Sequence, residues 1–126
     1  MNIDEIDAAS AAVARAPRIT LDDIKAEIEV VIYTQADELL KQRQTLLKWV
    51  EPLKTCTICT ILTKSGFIVI DKSVPVNIEN YDAELGRKYA FENCIRQLWP
   101  LMAFHYKQVG LRNKEMDQPH RGHAPE

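Results

Sequence analysis

The residues with the clearest chemical potential lie between Tyr81 and Leu101, on the polar flank of a predicted helix. They combine cations, an amide and an aromatic ring: Arg87, Lys88, Tyr89, Asn93 and Arg96. An arginine fork suits a phosphate, an asparagine amide suits a base edge or a ribose, and an aromatic ring can stack on a base. Phe67, directly after a predicted hairpin loop, offers a second ring. The pattern predicts a nucleotide-type ligand site, and the alternative is a solvated face held by ion pairs.

A metal site is the second chemistry to weigh. Cys56 and Cys59 form a Cys-x-x-Cys pair, which Cys94 and His105 could complete as a zinc site. Residues three apart on a strand point to opposite faces of the sheet, so the two thiols would diverge. We therefore expect small buried side chains and no metal.

Catalysis by a nucleophile would require a positioned base. The histidines are His105, His120 and His123, and the last two fall in a polar terminal segment. Glu84 and Glu92 are explained by ion pairs within the predicted helix. The four glycines are scattered, so no phosphate-binding loop is present. We expect a protein that is not an enzyme, with no catalytic residues and no cofactor.

Length and composition limit the class of protein. A chain of 126 residues fits one domain, and a net charge of −2 gives no field that would draw the molecule onto nucleic acid or a membrane. The sequence has no apolar run long enough to span a bilayer, and its acidic start does not resemble a signal peptide. Three cysteines fit a reducing compartment better than a disulfide framework. We expect a cytosolic protein.

The N-terminal half is predicted to be helical. Residues 1–17 are Ala-rich and read as a flexible arm or a short, loosely docked helix. Thr20 with Asp23 resembles a capping box, and apolar residues follow at helical spacing: Leu21, Ile24, Ile28 and Ile32. The β-branched run 30–34 would weaken this helix. A second helix is predicted over residues 36–50, ending at Pro52.

Two β-branched runs, about residues 55–62 and 67–74, predict an antiparallel hairpin whose loop places Gly66 at positive φ. A lone hairpin is marginally stable, so we expect an oligomer to complete or cover the sheet, with pairing at a sheet edge as one route.

A C-terminal amphipathic helix is predicted over about 81–99. Asn80 is its expected cap, Pro100 its stop, and Phe91, Cys94, Ile95 and Leu98 its core stripe. Gly86 inside this helix predicts close approach of a neighbouring backbone from the hairpin or a second subunit.

The fold class predicted from these elements is α+β. Its domain plan is a flexible Ala-rich arm (1–17), one globular domain (18–106) and a disordered polar tail (107–126).

Several motifs carry a family resemblance. In order they are Gly66-Phe67, the run from Tyr81 to Lys88, Glu92-Asn93, and the run Leu98-Trp99-Pro100-Leu101. They resemble a family of small tailed-phage proteins named after gene 49 of a coliphage and gene 66 of a Shigella phage. Arg18-Ile19-Thr20, Ile24 and Tyr33-Thr34 extend the resemblance, which covers about residues 18–106.

The resemblance implies a phage or prophage origin and action inside an infected bacterium. The family is uncharacterised in function, so no catalytic residue is carried over from it. The chain departs from the family in its helical reading of residues 37–50, where relatives often have a Gly-containing loop. It departs again in the tail after Lys107.

These inferences favour a binding protein. The leading hypothesis is a counter-defence protein of the host cytoplasm that sequesters a nucleotide second messenger, of the cyclic ADP-ribose type or a cyclic oligonucleotide. It is similar in size and general build to the Thoeris anti-defence proteins, and a homo-oligomer is expected. The alternative is a protein-interaction module that inhibits a host protein or supports phage replication or assembly. Weak nucleic-acid binding ranks third, and no membrane partner is expected.

Overall fold

The computed structural model describes residues 2–13, 18–38 and 50–117. Helix α1 spans Ile3–Val13 and helix α2 spans Leu21–Ala26. The Thr20 hydroxyl accepts a hydrogen bond from the Asp23 N–H at 3.0 Å, and the Asp23 carboxylate accepts one from the Thr20 N–H at 2.8 Å. The predicted capping box is confirmed. Of the two alternatives for residues 1–17, the described part is a short helix.

Helix α1 is tied to the start of α2 by one carboxylate. Oδ1 of Asp7 accepts a hydrogen bond from Arg18 Nη1 at 2.6 Å and a second from the Leu21 N–H at 3.3 Å. The hydrogen bond from Arg18, more than the one from Leu21, holds the pKa of Asp7 below its usual value. Ile3 at the beginning of α1 is buried in the core, so both ends of the contact are anchored.

The next element corrects the sequence prediction. The helix predicted to run on through Ile28 and Ile32 ends at Ala26, and residues Ile28–Gln35 form strand β1 instead. Ile28 and Ile32 satisfy helical spacing, but the β-branched run between them packs better on a pleated surface. Pairing with a distant strand decides the outcome, because Ile32 pairs with Thr60.

The predicted hairpin is confirmed as strands β2 (Thr57–Thr63) and β3 (Ile68–Ser73). Gly66 has φ of +88°, and the Thr63 N–H donates to the Phe67 carbonyl at 2.9 Å to close the loop. The hairpin gains β1 as a third strand, which gives an antiparallel sheet of order β1-β2-β3.

Part of the second predicted helix can be compared with the structure. Residues 36–38 form a 3₁₀ turn, and residues 39–49 lie outside the described residues. Helix α3 spans Val50–Lys54, so Pro52 lies inside it and the predicted stop at Pro52 is wrong. Proline is tolerated early in a helix, where backbone N–H groups have no intrahelical acceptor.

The C-terminal helix is confirmed but is longer than predicted. Helix α4 spans Ala83–Asp117 and passes through Pro100, so the predicted stop near Leu98 is wrong. Proline removes one intrahelical hydrogen bond, and packing of Leu98 and Met102 against the core on either side offsets that loss. The tail predicted as disordered from Lys107 is helical as far as Asp117, and residues 118–126 lie outside the described residues.

The cap of α4 also differs from the prediction. Oδ1 of Asp82 accepts a hydrogen bond from the Leu85 N–H at 3.0 Å, so Asp82 caps the helix. Asn80, the expected cap, instead ends a short 3₁₀ turn over Ile78–Asn80.

The core lies between the helices and one face of the sheet. From α4 it contains Cys94, Ile95 and Leu98 as predicted, with Phe91 partly buried and Ala90 as an addition. From the sheet it contains Cys59, Ile61 and Val69, and from α1 and α2 it contains Ile3, Leu21 and Ile24. This helix layer on a three-stranded antiparallel sheet confirms the α+β class. Within the described ranges, no helix has both the length and the apolar character needed to cross a membrane.

Gly86 lies at the closest approach of α4 to the sheet. A Cβ atom built on Gly86 would lie 2.8 Å from Oγ1 of Thr57 on β2. The predicted close approach to the hairpin is confirmed, although the neighbour is a side chain rather than backbone.

Candidate functional site

The amide of Asn93 is engaged in the fold. Its Nδ2 donates to the carbonyl of Lys72 on β3 at 2.9 Å, and its Oδ1 accepts from Arg96 Nη1 at 3.3 Å. Gln97, one turn further along α4, donates from Nε2 to the Ile70 carbonyl at 3.0 Å and to Asp71 Oδ2 at 2.7 Å. Together Asn93 and Gln97 fasten α4 to the outer side of β3.

Arg87 and Lys88 lie at the other side of the helix. Nine residues separate Arg87 from Arg96, which is about two and a half helical turns, so these two guanidinium groups project in opposite directions. Both Arg87 and Lys88 are exposed, and neither makes a hydrogen bond or ion pair within the described part of the chain.

Tyr33 is a neighbour of Arg87 that sequence reasoning missed. Burial raises the pKa of the Tyr33 hydroxyl, the nearby Cys59 thiol raises it further, and the positive charge of Arg87 opposes the rise. Tyr33 comes from β1, which the sequence analysis treated as helix. The β-branched run 30–34 was the signal that could have placed it on a strand.

Phe67 is remote from the other five predicted site residues. It lies against the C-terminal half of α4, where Leu98 and Leu101 line the same cavity. Fourteen residues separate Arg87 from Leu101, and at 1.5 Å per residue this places Arg87 about 20 Å away along the helix. The six predicted site residues therefore occupy three places: the β3 side of α4, its β1 side, and the hairpin loop.

The hairpin loop borders a cavity of about 410 Å³, which we call the hairpin cleft. Its apolar wall comes from the loop and from α4: Phe67, Leu98, Leu101 and Met102. Its polar groups come from the α2–β1 turn, the hairpin and α4: Glu27, Thr63, Ser65 and His105. A volume of about 300–1,000 Å³ is typical of small-molecule sites, so the hairpin cleft is a candidate site by size and composition.

Hydrogen bonds hold the loop side of the hairpin cleft in place. Oγ1 of Thr63 accepts from the Phe67 N–H at 3.0 Å and lies 2.9 Å from Oγ of Ser65. The Lys64 N–H donates to the Glu27 carbonyl at 2.9 Å, which joins the hairpin to the α2–β1 turn. Phe67 thus has a fixed backbone while its ring remains half exposed, as a stacking group requires.

The groups of the hairpin cleft suit binding. The Ser65 hydroxyl is hydrogen-bonded to Thr63, so a Ser65–His105 pair of nucleophile and base is not formed in this arrangement. A flat apolar slot with a carboxylate, a hydroxyl and an imidazole at its borders can hold a ring and contact its polar edge.

The three cysteines are buried and reduced. The Cys94 thiol donates to the Cys59 carbonyl at 3.4 Å, deep in the core. A hydrogen bond with the Cys94 thiol and then burial raise the pKa of Cys59 far above its usual value, which leaves it a protonated thiol. Among the described residues, no three His, Cys, Asp or Glu side chains come together in a way that could hold a metal ion.

Comparison with known proteins gives one clear relationship. No curated protein matches the chain, and no solved structure matches it. A family model described as "Phage protein (N4 Gp49/phage Sf6 gene 66) family" matches residues 19–109. That range is well over half of the chain, and it includes the sheet, the hairpin cleft and most of α4. The chain therefore belongs to the N4 Gp49/phage Sf6 gene 66 family of phage proteins.

Proposed function

We propose that the protein is a phage counter-defence protein of the host bacterial cytoplasm that binds a nucleotide second messenger of bacterial immunity and holds it without chemical change. The ligand would be of the cyclic ADP-ribose type or a cyclic oligonucleotide. The observation that carries this proposal is the hairpin cleft, with the half-exposed ring of Phe67 on its wall. The general similarity to Thoeris anti-defence proteins in size and build agrees with the proposal.

The base of the ligand is assigned to the hairpin cleft. Stacking of a base on an aromatic ring contributes about 1–3 kcal/mol. Leu98 and Met102 offer an apolar surface within the same cleft, and His105 and Ser65 offer hydrogen-bonding groups for the polar edge of the base. Such a site favours tight retention, because no group in it is arranged as a nucleophile with its base.

The phosphates require cations close to the same cleft. Lys64 is exposed in the hairpin loop beside Phe67. Arg87 and Lys88 lie about 20 Å along α4 from the cleft, so they would contact a separate ligand or a distant part of a large one.

Calorimetry with a nucleotide panel tests the proposal. Cyclic ADP-ribose isomers and cyclic di- and trinucleotides are titrated into protein at tens of micromolar, and the recovered ligand is checked by mass spectrometry. We expect saturable heat for one class and unchanged ligand afterwards. Phe67→Ala should weaken binding about 5- to 150-fold, the equivalent of one lost stacking contact. Phe104→Ala is the matched control, because that ring is 65% exposed on α4 outside the lining of the cleft.

Two results would change the conclusion. The absence of heat for every compound would reject nucleotide sequestration. Heat that survives Phe67→Ala but is lost in Arg87→Ala or Lys88→Ala would move the site to the beginning of α4 and remove the hairpin cleft from the proposal.

A second candidate function is the protein-interaction module that inhibits a host protein or supports phage replication or assembly. Three exposed apolar side chains on the distal part of α4 favour it: Leu101, Phe104 and Tyr106. Exposed aromatic residues are enriched at protein interfaces. Capture of one stoichiometric host protein by the wild type but not by Phe104→Glu, combined with no nucleotide binding, would support this candidate.

A further inference from the structure

The sheet has one covered face and one open face. On β2 the side chains of Thr57, Cys59, Ile61 and Thr63 are buried under the helices, and those between them point the other way. The opposite side carries apolar residues from all three strands, which we call the open sheet face: Val30, Ile32, Ile58, Leu62, Ile68 and Ile70.

The open sheet face forms cross-strand rows. Val30, Leu62 and Ile68 are in register in one row, and Ile32, Thr60 and Ile70 are in register in the next. Ile32 is 53% exposed and Ile70 is 58% exposed, although β-branched side chains in such rows normally pack against a second layer. The rows therefore present a continuous apolar surface to solvent.

The composition of the open sheet face points to a second copy of the same chain. Its apolar members are aliphatic throughout, and the charged Lys72 lies in the outer row beside Ile58. Interfaces with unrelated partners depend on Tyr, Trp and Arg anchors, whereas permanent homodimer interfaces resemble a domain core cut in half. This aliphatic surface has the second character.

The area is also adequate for a dimer. Three strands about 4.8 Å apart, with six paired residues rising about 3.4 Å each, give a footprint of about 14 by 20 Å per copy. Two such corrugated faces in contact would remove on the order of 1,000 Å² of accessible surface in total, which is about the lower limit for a specific interface. Val74 continues the alternation of β3 and would add to this area.

Strand addition at the outer edge of β3 is a less suitable route to the same oligomer. The outward carbonyls of Ile70 and Lys72 already accept hydrogen bonds from Gln97 and Asn93. An incoming strand would have to displace both amides, and occupied edge groups are a known protection against such pairing. Stacking face to face leaves these bonds intact.

We propose that two copies of the chain pack through their open sheet faces, forming a sandwich with the helices on the outside. The two sheets would lie about 10 Å apart, as packed sheets do. The interface does not involve the hairpin cleft, so this inference stands independently of the proposed nucleotide ligand.

Light scattering after size-exclusion chromatography, at tens of micromolar protein, tests the inference. The chain has a mass of 14.4 kDa, and we expect the wild type to have about twice that mass. Ile32→Glu and Ile70→Glu each place a charge in the middle row, and we expect both to give monomers with an unchanged circular dichroism spectrum. Val13→Glu is the matched control, since Val13 is 77% exposed on α1 and the dimer should persist.

Three results would overturn the inference. The first is a monomeric wild type at these concentrations, whether or not another protein then binds the open sheet face. The second is a dimer that survives both substitutions in folded protein. The third is dissociation by Val13→Glu but not by Ile70→Glu, which would place the interface in the helical layer.

Discussion

Gly86 is where α4 packs most tightly on the sheet, and substitution there should test the packing of a single atom. The added Cβ of Gly86→Ala would lie 2.8 Å from Oγ1 of Thr57. Overpacking costs about 1–3 kcal/mol, which exceeds the gain of about 1 kcal/mol in helix propensity in most of that range. We expect a net loss of about 1 kcal/mol in the free energy of unfolding, measured by urea denaturation.

Thr57→Ala provides the matched second variant. Within the described part of the chain, the Thr57 hydroxyl is buried with no hydrogen-bond partner, so removing it also removes an unsatisfied polar group. The double variant Thr57→Ala/Gly86→Ala should be at least as stable as the wild type. Simple additivity of the two single changes would show that the contact is absent.

Asp7 should make stability depend on pH through its contact with Arg18. Its folded-state pKa is lowered, so its contribution is fully present above the unfolded value of about 3.8 and is lost as the pH falls through the lowered value. Asp7→Asn should therefore reduce the free energy of unfolding at pH 7 by about 0.5–1 kcal/mol.

Urea denaturation of Asp7→Asn and the wild type across the acid range gives the measurement. The difference between them should shrink toward zero below the ordinary carboxyl pKa of 3.8. Asp4→Asn, an exposed acid on the same helix, should change stability by less than about 0.5 kcal/mol at pH 7. A difference between wild type and Asp7→Asn that stays constant down to strongly acid pH would contradict the assignment.

At the scale of elements, the long helix α4 is held to β3 by side-chain amides. Gln97→Ala removes the hydrogen bonds to Ile70 and Asp71, and we expect a loss of about 1–2 kcal/mol in unfolding free energy. Gln108→Ala, an exposed amide further along the same helix, should change stability by less than about 0.5 kcal/mol. Equal stability of both variants in urea denaturation would show that the amides do not fasten the helix.

The elements that sequence could predict are those specified by local patterns. The hairpin, the positive φ of Gly66, the capping box at Thr20 and the apolar stripe of α4 each depend on neighbouring residues. Strand β1 was missed because Ile28 and Ile32 also satisfy helical spacing, and its pairing with β2 joins residues far apart in the chain. Pro100 was misleading because packing on both sides keeps α4 continuous.

The candidate site was harder to predict than the fold. The hairpin cleft combines Glu27, the hairpin loop and α4 residues as far as His105, and no local pattern brings these segments together. Phe67 was selected for its position after the loop, and the structure places it in the cleft. Asn93 was selected for its amide, and the structure uses that amide to bind the Lys72 carbonyl.

At the scale of the whole molecule, packing of two open sheet faces would link folding to association. If the native state is a dimer, the melting temperature should rise with protein concentration, because mass action favours the associated form. Differential scanning calorimetry over a hundredfold concentration range would show the shift. Ile70→Glu should melt at a lower temperature that does not change with concentration, and Val13→Glu should retain the dependence. A concentration-independent wild-type melt would argue against coupled folding and association.

The burial of all three cysteines makes the thiols a built-in clock for opening of the native protein. Cys59 and Cys94 are fully buried at the centre of the molecule, and Cys56 is nearly so. An alkylating reagent can reach Cys59 or Cys94 only when α4 separates from the sheet, so the rate of labelling measures the population of that opened state. A cysteine introduced on the surface would be labelled rapidly while the native three stay protected. Fluorescent probes can therefore be attached at chosen positions without first removing any natural cysteine.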